Sequence, residues 1–191
     1  LVSYRWDMSN MIEILDDVQR DKTSIKFKKN KKRLINHKKN KNIFNRTIIN
    51  SLNKTENITF LLGAGFSRSN EINSNLNILN KFNIPTVLSW GAQEISSKVK
   101  NNLGIFGDHA PGLASRHLEN SKIIICLGIS LLQHQVGRSL NNFAPNAKII
   151  FVNNNINECK RAKQQFKNRL TYFPSEISSF LSNLKKTKLF K

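Results

Sequence analysis

The segment Lys122–Gly128, "KIIICLG", constrains the fold of this chain more than any other. It is an uninterrupted apolar run rich in β-branched residues, and a glycine ends it. A strand with one face in water alternates polar and apolar residues, so a continuous run implies cover on both faces, as in a parallel sheet. Asn57–Gly63 ("NITFLLG"), Pro85–Trp90 ("PTVLSW") and Ala147–Asn153 ("AKIIFVN") repeat the pattern, and "RLTYF" is a shorter version. Helical spacing lies between them. Ile72, Leu76, Leu79 and Phe82 recur at three to four residues, "PGLASRHLENS" opens on Pro111, and helices are expected at Asn157–Lys167 and Ser175–Lys186, the latter with Ser175 as N-cap. Ile43, Phe44, Thr47, Ile48, Ser51 and Leu52 share one face of a further expected helix. Gly91–Pro111 reads as a short helix plus loop, and the stretch around Gly137 and Pro145 as a loop. Strands alternating with helices predict an α/β fold from Asn42 to about Leu184. This is a doubly wound, Rossmann-like parallel sheet of about five to six strands.

The 191 residues suffice for one domain plus tails, and 39% of them are hydrophobic. No apolar run reaches the ~18 residues of a membrane span. Arg5 and Asp7 interrupt the start, where a signal peptide would be apolar. A cytoplasmic location without membrane attachment is therefore expected. Leu1 in place of Met suggests a fragment. Cys126 in a strand and Cys159 on a helix read as two reduced structural thiols. With no CxxC and four scattered histidines (His37, His109, His117 and His134), no metal site is expected.

The net charge of +19 raises the question of a polyanionic partner. Between Lys22 and Arg46 stand eleven Lys and Arg residues and no acid. Such a run would contact phosphates without sequence specificity. Lys and Asn are abundant throughout the chain, however, and Phe27 and Phe44 alone are available there to stack on bases. The run reads as a solvated linker, with nucleic-acid binding through residues 22–46 as an alternative.

Glycines end the strands. Gly63 and Gly65 form a GxG after the first core strand, where glycine permits a sharp turn and close approach to a phosphate. Arg68 stands where the dinucleotide fingerprint has its third glycine, and Ser89 and Trp90 end the second strand without an acid. A Rossmann dehydrogenase is thereby disfavoured. The alternative reading of these glycines is that they only allow tight strand-to-helix turns. Gly107, Asp108 and His109, and Gly128 with Ile129 and Ser130, are further loop candidates at the same sheet edge. Asp108 and His109 could bond a ribose or cap the next helix. No carboxylate pair, nucleophile elbow or triad order supports hydrolysis.

The order of segments resembles the thiamine-diphosphate-dependent enzyme family, of the acetolactate-synthase-like kind. "IPTVLSWGAQEI" (Ile84–Ile95), "GDHAPGLASRHLENS" and "QVGRSLNNFAPNAKII" are similar to consecutive parts of that family's central domain, and "IEILDDVQ" (Ile12–Gln19) resembles the end of its pyrimidine-binding domain. The resemblance covers nearly the whole chain. Three features depart from the pattern: Leu15 and Asp16, the neutral Asn153–Asn155 where the family has acids, and the basic linker.

The resemblance implies residues 1–21 as the end of a pyrimidine-binding domain, 22–41 as linker, 42–186 as the central domain and 187–191 as tail. It implies an intact enzyme that uses thiamine diphosphate and Mg²⁺ to decarboxylate or join 2-oxo acids, as a homodimer or tetramer. The activating glutamate would precede Leu1, and the metal-binding segment would follow Lys191. No catalytic residue is expected in this chain. Some relatives hold FAD or an ADP-containing ligand in this domain, and the matching positions are Gly63, Ala64, Gly65, Gly107, Asp108, Gly128 and Ile129. A stand-alone or degenerate nucleotide-binding module is the alternative.

Overall fold

The computed structural model describes Leu52 and residues 57–107, 112–137 and 139–185. The basic run, the segment resembling a pyrimidine-binding domain, Asp108 and His109, and most of the helix expected before Leu52 lie outside these residues.

Six strands form one sheet: β1 (Ile58–Leu62), β2 (Thr86–Leu88), β3 (Asn102–Ile105), β4 (Ile123–Leu127), β5 (Lys148–Asn153) and β6 (Leu170–Pro174). Their order is β3-β2-β1-β4-β5-β6, and every neighbouring pair is parallel. The expected doubly wound sheet is therefore present, with its switch point between β1 and β4. Among residues 57–185, six α-helices are described that connect or follow the strands: α1 (Ala64–Ser67), α2 (Ile72–Lys81), α3 (Gly112–Asn120), α4 (Gln133–Val136), α5 (Ile156–Phe166) and α6 (Ile177–Lys185). A 3₁₀ segment, Trp90–Lys98, joins β2 to β3.

Alternate strand residues face opposite ways, and both faces are buried. Phe60, Leu62, Ile123, Ile125, Leu127, Ile150 and Val152 pack under α2, the 3₁₀ segment and α6. Leu61, Ile124, Cys126, Ile149 and Phe151 pack under α3 and α5. Two sets of neighbours on one strand explain why β4 has no polar position. Cys126 and Cys159 are buried free thiols, and burial pushes Cys159 up to about 11 and Cys126 further.

Two expectations need correction. The stretch Gly91–Pro111 holds the 3₁₀ segment and an edge strand, β3. "NLGI" is short and only half-buried, its pairing with β2 is irregular, and Gly104 has φ +105°. An edge strand with one neighbour needs no long apolar run. The stretch around Gly137 also begins with a helical turn, α4.

The residues from Ser139 to Ala147 contain no regular element, and Arg169 holds them. Its guanidinium lies over Phe166 and donates to the carbonyls of Phe143 (2.7 Å), Ala147 (3.4 Å), Leu140 (3.5 Å) and Ala144.

At the sheet edge where strands begin, Thr59 Oγ1 lies 3.1 Å from His117 Nε2 and 2.7 Å from Ser121 Oγ, and Ser121 Oγ donates to His117 O at 2.9 Å. A proton on His117 Nε2 satisfies the whole chain: His117 donates to Thr59, Thr59 to Ser121, and Ser121 to the carbonyl. Burial lowers the His117 pKa below 6.5. The folded state therefore binds fewer protons than the unfolded state in the window just below 6.5, and this contribution to stability fades as pH falls through it. Urea midpoints should drop between about pH 7.5 and pH 5.5, and His117→Gln should flatten that slope. An unchanged slope in the variant would refute the assignment.

Candidate functional site

The strand tips beyond the carboxyl end of the sheet are laced to one another. Gly63 N–H donates to Leu127 O at 3.0 Å, Gly65 N–H to Gly128 O at 2.8 Å, Ser89 N–H to Leu62 O at 2.8 Å, and Gly128 N–H to Val152 O at 3.0 Å. The turn after β1 thus lies directly against the turn after β4. A Cβ on Gly63 would stand 2.3 Å from Gly128 O and 2.4 Å from Ile129 Cα. Gly128 has φ +63°, and its Cβ would stand 2.5 Å from Phe66 N. These glycines admit backbone against backbone. The amides of Gly63 and Gly65 are engaged by main-chain carbonyls, so they are not free to cradle a phosphate.

Beside this contact a cavity of about 460 Å³ opens between the tips of β4, β5 and β6 and the starts of α2 and α6. That is the size range of small-ligand sites. Gly65 and Gly128 lie in its wall, with Asn153, Asn154 and Ser175 along the strand ends. Arg68, Glu71 and Glu176 supply charge. Asn75, 1% exposed, also lines it. Its Nδ2 donates to Ser69 Oγ at 3.0 Å, while its buried Oδ1 has no partner. A buried acceptor without a donor costs ~1–3 kcal/mol, which a hydroxyl or amine of a bound molecule would recover.

The neutral Asn153–Asn155 segment has a local role. Asn153 Oδ1 accepts from Asn155 N–H, and Asn155 Oδ1, as N-cap of α5, accepts from Asn157 N–H, each at 2.9 Å. Both contacts use the side-chain carbonyl and need no charge. Asn154 is left to face the cavity.

Of the positions singled out in the sequence, Gly63, Ala64, Gly65, Gly128 and Ile129 come together at the switch point. Gly107 does not join them. It lines a smaller cleft of about 200 Å³ with Phe106, Leu118, Glu119, Gln135 and Phe143. Asp108 is outside the described residues. Sequence reasoning missed Arg68, Ser69 and Asn75. The signal for Asn75 was its place four residues before Leu79, on the buried side of α2. Among the described residues, no group of three His, Cys, Asp or Glu could hold a metal ion, and no helix is long and apolar enough to cross a membrane.

The family described as "Thiamine pyrophosphate enzyme, central domain" matches residues 46–168, well over half of the chain. The chain belongs to this family. A search of curated protein sequences gives no match. Among solved structures, the thiamine diphosphate-dependent 4-hydroxybenzoylformate decarboxylase of Rhodococcus jostii RHA1 superposes with a TM-score of 0.53 at 17% identity. The match covers 75% of this chain and 26% of that one, so this chain spans about a quarter of that enzyme's length. At this identity the likeness concerns the fold. The central domain of the family and the six-stranded parallel sheet agree with the expectation raised by the segment order.

Proposed function

We propose that this central domain serves a thiamine-diphosphate- and Mg²⁺-dependent enzyme of the acetolactate-synthase-like type, which decarboxylates a 2-oxo acid or joins its remainder to an acceptor. Thiamine diphosphate supplies the carbanion-stabilising chemistry when bound elsewhere in the enzyme. The domain's own part is to position the pyrimidine- and diphosphate-binding domains, within a dimer or tetramer, and to hold an ADP-containing ligand such as FAD or ADP. It has no catalytic residue of its own.

The cavity with the unpartnered Asn75 Oδ1 carries the ligand reading. Its wall of amides and hydroxyls, with the carboxylates of Glu71 and Glu176, suits ribose hydroxyls, and Arg68 is the cation available to a phosphate. Because the amides of Gly63 and Gly65 are engaged, the reading gives recognition to Arg68, Asn75, Asn154 and Ser175.

Calorimetry on the full chain with ADP, FAD and NAD should give binding with ADP or FAD. Asn75→Leu should weaken it about tenfold, the worth of roughly one hydrogen bond to a buried group, while the melting temperature holds or rises because the orphaned acceptor is gone. Absence of binding by ADP and FAD at millimolar concentration, or equal affinity in the variant, would remove the cavity assignment. Turnover of a 2-oxo acid by this chain alone would overturn the positioning role.

A further inference from the structure

The edge of the sheet where the strands begin concentrates exposed lysines. In an all-parallel sheet every connecting helix ends at that edge. Accordingly α2 ends at Lys81 and the 3₁₀ segment at Lys98, with Lys100 just beyond; Lys122 precedes β4, Lys148 opens β5, and Lys167 lies in the turn before β6. All six are exposed. Hydrogen bonds tie four of them into two stretches. Lys148 N–H donates to Lys122 O (2.9 Å), and Lys122 N–H to Asn57 O (3.1 Å). Asn80 donates from Nδ2 to Lys98 O (2.9 Å) and accepts at Oδ1 from Lys100 N–H (3.0 Å).

Most acidic residues among the described ones are placed elsewhere, with Glu94 in the middle of the 3₁₀ segment. Glu158 lies in the first turn of α5, and Glu71 and Glu176 immediately precede α2 and α6, all at the opposite edge. Among the described helices ending at the lysine edge, Glu119 is the one carboxylate in a last turn. Four helix C-termini there contribute roughly −0.5 each. With the exposed Lys185 at the end of α6 added to those six lysines, the helix termini and Glu119 leave a surplus of about four positive charges.

The shape selects the partner. Six strands at about 4.8 Å spacing give an edge about 24 Å long, which matches about 14 phosphate charges along a duplex. The exposed large apolar residues, Trp90, Leu113 and Leu132, follow β2, open α3 and follow β4, so they stand at the other edge. Among the described residues, the lysine edge thus has no apolar wedge for a bilayer and no exposed aromatic ring to stack on unpaired bases.

We propose that this edge binds the phosphate backbone of double-stranded nucleic acid without sequence preference. The surface lies at the opposite edge of the sheet from the crevice.

The test is fluorescence anisotropy of the full chain with a labelled random duplex of about 20 base pairs over a range of salt. Two variants of equal charge change are compared. One carries Lys98→Gln, Lys100→Gln, Lys122→Gln and Lys148→Gln; the other carries Lys28→Gln, Lys29→Gln, Lys31→Gln and Lys32→Gln. The edge variant should bind at least about tenfold more weakly near 100 mM salt, and its slope of log K against log salt should shrink by about 3 to 4. Lys→Arg at the same four edge positions should restore both. An edge loss no larger than that of the basic-run variant overturns the proposal. So does edge-dependent binding to phosphatidylserine vesicles by a chain whose duplex binding ignores the edge substitutions.

Discussion

Gly128→Ala should cost about 4 kcal/mol or more of folding stability, read as a large fall in the urea midpoint. Two effects add. The residue sits at φ +63°, where an L side chain is strained. The new methyl group would also stand 2.5 Å from Phe66 N and 2.6 Å from Gly65 C, both backbone atoms that cannot swing aside. Gly65 is fixed in turn by its 2.8 Å bond to Gly128 O, so relief of the overlap breaks the contact that joins the turns after β1 and β4. Gly63→Ala should behave alike, since its Cβ meets Ile129 Cα at 2.4 Å. Gly104→Ala is the control. It also has positive φ, +105°, but nothing lies within 4 Å of its Cβ, so it carries the conformational cost alone. If Gly128→Ala loses no more than Gly104→Ala, close approach of the two turns is not what requires glycine there.

Phe60→Ala should destabilise the domain by about 3–5 kcal/mol. Phe60 lies in β1, with β2 on one side and β4 on the other, and is 0% exposed. Its ring packs 6.0 Å from Phe82 at the end of α2. A strand flanked on both sides cannot move inward to fill the space left behind, so little of the cavity cost is recovered. Phe60→Leu retains most of the volume and should lose much less. Equal losses in the two variants would show that packing at this position is loose.

The sheet was legible because burial on two faces writes itself into composition. Ile123 to Leu127 has no polar position because α2 and α6 cover one side and α3 and α5 the other. β3 was not legible because an edge strand is released from that demand, and "NLGI" resembles a loop. At the site, the glycines were visible as strand-end signals, but the partner they approach was not. Local sequence cannot distinguish a glycine that meets a phosphate from one that meets another turn 65 residues away, as Gly63 meets Gly128. Asn75 was hidden for a different reason. Asparagine on a helix reads as a solvent-facing residue by its chemistry, and its spacing from Leu79 was the one local sign that α2 turns it inward.

The guanidinium of Arg169 grips the segment from Leu140 to Ala147 through carbonyl oxygens, which every amino acid possesses. Apart from the buried Phe143, Ala144 and Ala147 and the core-packed Leu140, the letters in that segment can drift without loosening the grip. Position 169 has no such latitude, because lysine offers a single point charge where arginine reaches several oxygens with a planar fork. Variation in relatives of this domain should accordingly accumulate along the tethered stretch and stop at its anchor.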